Sequence, residues 1–122
     1  VVEAQASYSN LVAPTILTDE SIKNPKRIEE YRAKSMRYYH SAAQSGYAPA
    51  LQSLSFAYSD GYVTAKDDYA AYKYLQAYSL AVTRRTPSLD KLLIRFQSGL
   101  TPQQIASAQR EAIAIYSACC RR

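Results

Sequence analysis

Residues 35–71 read SMRYYHSAAQSGYAPALQSLSFAYSDGYVTAKDDYAA, and the fold is decided in this stretch. Tyr38, Ala42 and Ser45 lie three or four positions apart, so they share one face of a helix. Ala42 and Ala43 are small enough for a neighbouring helix to approach, ridge into groove. Gly46 stands where a left-handed cap is wanted, a conformation glycine takes without a Cβ penalty. Pro49 suits the first turn of a second helix, where its missing N–H costs little. Ala50, Leu51, Leu54, Ala57 and Tyr58 then carry the apolar spacing onward until Asp60-Gly61 breaks it. Asp67 or Asp68 can cap a third helix and complement its positive N-terminal dipole.

Ser35, Tyr38, Tyr39, Ala42, Ala43, Gly46, Ala50, Leu54, Tyr58, Gly61, Asp67 and Ala71 together closely resemble one unit of the Sel-one-like repeat family. The 36 positions from Ser35 to Ala71 match that family's usual period. The resemblance implies an all-α fold, a short α-solenoid of antiparallel, tetratricopeptide-like helix pairs. Two departures bear on local tightness rather than on the repeat. Val63 and Thr64 stand where the family's loop carries Gly and Val, and Ser55 stands where it carries Gly. In the next unit Ala71, Tyr74 and Leu75 match Ser35, Tyr38 and Tyr39, but the Ala-Ala pair becomes Tyr78-Ser79. This second unit is degenerate and is expected to end the array.

Outward from the repeat, one domain is expected over 1–122: an N-terminal extension (1–24), a repeat core (25–82) and closing helices (86–122). A first helical stretch is expected over 1–12, ended by Pro14. Asn24-Pro25 supplies a cap and a first-turn proline for a long helix over 25–45. Its buried stripe is predicted as Ile28, Tyr31, Ser35, Tyr38 and Ala42, and its outer face as Arg27, Lys34, Arg37, His40 and Gln44. Further helices are expected over 49–60 and 68–82. Leu89, Leu92, Leu93 and Phe96 give a fourth helix one apolar face, ended by Gly99. Thr101-Pro102-Gln103-Gln104 is a capping box with proline at the first position. It opens a C-terminal capping helix whose inner stripe is Ile105, Ala108, Ala112, Ile115 or Tyr116, and Cys119. The phrase from Leu100 to Ile105 resembles the closing helix found after many bacterial arrays of this family. No segment alternates as a strand does, so no sheet is predicted.

The chemistry-bearing residues are few. His40 is the only histidine, which excludes a two-histidine metal site, and there is no glycine-rich phosphate loop. Asp19-Glu20, Glu29-Glu30 and Asp67-Asp68 are adjacent carboxylates, which on a helix do not face each other. Neither a cofactor nor a metal is expected, and the chain is read as non-enzymatic. Cys119 and Cys120 are neighbours, and on a helix they point about 100° apart. The expectation is that Cys119 packs and Cys120 is incidental. The formal net charge of +5 favours an acidic partner surface. Nucleic acid is disfavoured, because the aromatic residues are not interleaved with Lys and Arg along one groove. No apolar run approaches the ~20 residues needed to span a bilayer. Residues 1–12 do not read as a leader, and an opening Val1 rather than Met is expected of a mature or trimmed chain.

With first helices lining the concave side of a superhelix, positions one repeat apart should stack. Met36 should neighbour Tyr72, Arg37 should neighbour Lys73, and His40 should neighbour Gln76, with Gln44 on the same face. These seven residues are the predicted contact surface for another protein, as Arg and Tyr are frequent interface anchors. Of the 12 tyrosines, Tyr47, Tyr62, Tyr69 and Tyr72 are expected at loops or outer faces. The resemblance implies a bacterial immunity protein that neutralises a toxin delivered by a neighbouring cell, as in type VI secretion, in the periplasm. A signalling or secretion adaptor is the alternative, in the periplasm or the cytoplasm. A small hydrolase or ligand-binding enzyme and a structural envelope protein are further readings, and the first would need a cleft with convergent polar groups.

Overall fold

A computed structural model describes residues 25–120, and these form five α-helices without a strand. We number them α1 (Pro25–Gln44), α2 (Pro49–Asp60), α3 (Asp68–Ala81), α4 (Pro87–Gln97) and α5 (Pro102–Cys119). The expected helix over 1–12 and the cap at Asn24 lie outside the described residues.

The helix ends are where the local chemistry puts them. Gly46, at φ +97°, turns the chain after α1, and its N–H donates to the Ala43 carbonyl at 3.0 Å. Gly61 ends α2 in the left-handed region at φ +73°. The Asp67 carboxylate accepts from the Ala70 N–H at 3.1 Å and so caps α3. Thr86 caps α4 in the same way through Leu89, with Pro87 in the first turn. Thr101 and Gln104 form the full reciprocal box at the start of α5, at 3.1 and 2.9 Å.

From α1 to α4 each helix packs against the next. Asp67 N–H donates to the Tyr58 carbonyl and Ser55 Oγ to the Ala71 carbonyl, a nested order that makes α2 and α3 antiparallel. Ser55 is fully buried, and its 2.6 Å bond crosses from α2 to α3. Val63, in the loop between α2 and α3, turns inward and joins the core. The array is therefore a short all-helical solenoid, and its last helix does more than cover a flank. Tyr69 bonds Ser107, Tyr72 bonds Gln109, and Lys73 pairs with Glu111. The ascending order on both helices makes α5 parallel to α3, and α5 also touches α1.

Two apolar clusters result. The first joins Tyr31, Tyr39, Ala42 and Ala43 of α1 to Ala50, Leu51, Leu54 and Ala57 of α2, with Ala77 and Ala112 completing it. The second joins Tyr72 and Leu75 of α3 to Leu89 and Leu93 of α4 and Ala108 of α5. The sequence-based stripe on α1 needs correction at two places: Tyr39, not Tyr38, enters the core, and Ile28 is only half-buried and belongs to neither cluster. Tyr38 is half-buried, with the Lys34 ammonium 5.7 Å from its ring centroid. Leu54 and Leu75 fall in different clusters, Leu54 in the first and Leu75 in the second. Tyr58 and Tyr74 are half-buried and stack at 5.8 Å with ring planes 4° apart.

Candidate functional site

The contact strip predicted on α1 and α3 is only partly a surface. Tyr72 is 1% exposed, the most completely buried aromatic residue among those described. Its hydroxyl donates to Gln97 Oε1 and accepts from Gln109 Nε2, both at 3.2 Å, tying α3 to α4 and α5. Met36 packs against the first cluster. Lys73 is drawn into the α3–α5 seam, 3.9 Å from Glu111 and 5.4 and 5.6 Å from the Tyr74 and Tyr69 rings. Gln76 is half-buried. The physical reason is common to these positions of α3: its concave face is covered by α5 rather than open. A sequence signal for this exists. Ala70, Ala71, Tyr72, Leu75, Ala77 and Ser79 are buried around more than half the circumference of α3, a wider spread than a helix at an amphipathic edge shows.

Arg37, His40 and Gln44 remain on the open side of α1, one or two turns apart on one face. His40 and Gln44 form one wall of a groove of about 220 Å³. Leu51 and Leu54 of α2 lie beneath it, Tyr74 of α3 stands opposite, and Ile115, Ala118 and Cys119 of α5 close it. The His40 ring meets Tyr74 edge-on at 6.1 Å. Burial pushes the imidazole below its ordinary 6.5, so at neutral pH it is an uncharged ring with one donor and one acceptor. Burial also raises the Tyr74 phenol, with the nearby Tyr58 adding to the effect. The groove thus offers an apolar floor and hydrogen-bonding groups that are neutral at physiological pH.

Sequence reasoning found His40 and Gln44 but not the residues of α5 that complete the groove. The cysteines also depart from expectation. Cys119 and Cys120 are joined as a vicinal disulfide, although neighbours on a regular helix diverge. Cys120 has left the helical path, with φ −130° and ψ −6° at the C-cap, so the divergence does not apply. Tyr47 and Tyr69, expected outside, are half-buried, and Tyr62 is exposed as expected, with Arg32 5.8 Å from its ring centroid.

Among the described residues no cluster of three His, Cys, Asp or Glu side chains is placed to hold a metal ion, and no helix is long and apolar enough to cross a membrane. No family model matches the chain, and no curated protein is significantly similar to it.

Proposed function

We propose that this chain is a non-enzymatic protein-interaction module whose contact surface is the Arg37, His40 and Gln44 face of α1 with the adjoining groove. The observation that carries this reading is the groove itself, apolar at its floor and polar at its α1 wall. Concave sites of that make-up are where proteins bind. At about 220 Å³ it falls below the ~300 Å³ from which small-molecule sites begin. It suits a single apolar or aromatic anchor side chain of a larger partner, the way hot-spot residues seat in pockets. The net charge of +5 and the exposed Arg37 favour an acidic partner surface and speed the encounter.

In its finer form the proposal is an immunity protein of the bacterial periplasm that binds and neutralises a toxin delivered by a neighbouring cell. The resemblance of residues 35–71 to Sel-one-like repeats supports this form, as does the shortness of the array, which suits one partner better than a long scaffold. The test begins with crosslinked co-purification from the native organism, followed by reconstitution with the purified partner. Arg37→Ala combined with Gln44→Ala should weaken the complex by ~1–4 kcal/mol and leave the helical spectrum unchanged. Wild-type affinity in that double variant would place the contact elsewhere. Growth rescue on co-expression with the partner would separate immunity from an adaptor role.

A further inference from the structure

We infer that the Cys119–Cys120 bond is a redox latch on the groove: oxidised, it fixes the shape of the α5 end that lies beside the turn between α1 and α2, and reduction releases that shape. The inference rests on the groove being the contact surface, since the latch forms its wall.

Three observations converge on this place. Cys119 lines the groove together with His40 and Tyr74. Both cysteines pack against the first apolar cluster and are half-buried, within reach of a small reductant. The Cys119 carbonyl oxygen lies over the α1–α2 turn, 3.5 Å from where a Cβ on Gly46 would stand. The bond also coincides with the end of the helix. Cys120 is the C-cap, outside helical dihedrals, with its N–H donating to the Tyr116 carbonyl at 2.8 Å. Adjacent sulfurs on a continuing helix would point about 100° apart, so the bond requires the departure from the helix. A dithiol such as dithiothreitol breaks the S–S bond, leaves two thiols, and is itself oxidised to a cyclic disulfide; two electrons and two protons move. With the sulfurs separate, Cys120 is free to rejoin the helix, and the α5 end no longer has one shape. A partner that binds the oxidised form tenfold more tightly must, by linkage, lower the pair's reduction potential by about 30 mV.

His40 reports on this without any partner. It is the chain's only histidine, so its imidazole proton signals are unique in a nuclear magnetic resonance spectrum. The experiment records them for the full chain in oxidised and reduced dithiothreitol buffers, with thiols counted by a colorimetric disulfide reagent. Two thiols should appear on reduction and disappear on reoxidation. The His40 signals should move reversibly, with their titration midpoint rising toward the ordinary 6.5 as water enters the groove. Cys120→Ser should show the reduced-state signals in both buffers. Identical His40 signals in the two states, or two free thiols persisting in the oxidising buffer, overturn the latch. Neither result touches the partner-binding reading, which stands or falls on the Arg37 and Gln44 variants.

Discussion

Tyr38 and Tyr39 are neighbours with equal claim to the core by residue type, and only Tyr39 reaches it. The buried residues of α1 are Tyr31, Ser35, Tyr39, Ala42 and Ala43, a stripe advancing by four, four and three. Tyr38 lies at the edge of that stripe, about 100° around the helix from Tyr39. Leu54 sits in the first cluster with 0% exposure. Leu54→Ala should cost ~2–5 kcal/mol in urea denaturation, since a fully enclosed site collapses poorly around a cavity. A loss under about 0.5 kcal/mol, the range of surface positions, would contradict its place in the core. His40 makes stability depend on pH with a definite sign. Its folded value lies below 6.5, so the unfolded chain takes up the proton more readily. The contribution is fully present above pH 6.5 and is lost as pH falls from there through the folded value. Between about pH 7.5 and 5.5 the wild type should lose more stability than His40→Gln. Equal losses in parallel denaturation series would show that the ring is not desolvated.

At the scale of the element, the helix boundaries follow from side chains within a few residues. Asp67, Thr86 and Thr101 each accept from the N–H three positions on. Thr101→Ala removes the Oγ1 half of the α5 box, leaving the backbone N–H on Gln104 Oε1, and should cost ~0.5–2 kcal/mol, read as a lowered urea midpoint. An unchanged midpoint would mean that packing along α3 alone holds the start of α5. The proline that stops one segment starts another: Pro87 follows a cap and opens α4. The vicinal cysteines belong at this scale too. Whether two adjacent sulfurs meet depends on where the helix stops, and α5 stops between them.

For the whole molecule, α5 is the part that changes the meaning of the others. It contributes Ala112 to the first cluster and Ala108 to the second, and it hides the face of α3 that would otherwise be open. Deleting residues from Thr101 onward should therefore do more than bare one flank. Tyr72 loses Gln109, Lys73 loses Glu111, and the groove loses one wall. The shortened chain should melt at a lower temperature and self-associate, followed by circular dichroism and light scattering. A soluble monomer of wild-type stability would show that α1 to α4 are complete without it.

The sequence by itself determined the all-helical class, the bounds of α2 to within a residue, and the caps at Asp67 and Thr101. Those are settled by apolar period and by side chains reaching their own backbone, interactions of a few residues' range. It also placed Ala108 and Ala112 on the inner face of α5, because the 3.6-residue period needs no knowledge of what lies opposite. Only the tertiary structure decided that α5 runs parallel to α3 and covers Tyr72 and Lys73, leaving Arg37, His40 and Gln44 beside a groove. A periodic pattern says which face of a helix is buried, and a helix buried around most of its circumference, like α3, names no neighbour. The return of α5 across α3 depends on contacts some 35 to 40 residues apart in the chain, such as Tyr69 with Ser107 and Tyr72 with Gln109, which no local spacing encodes.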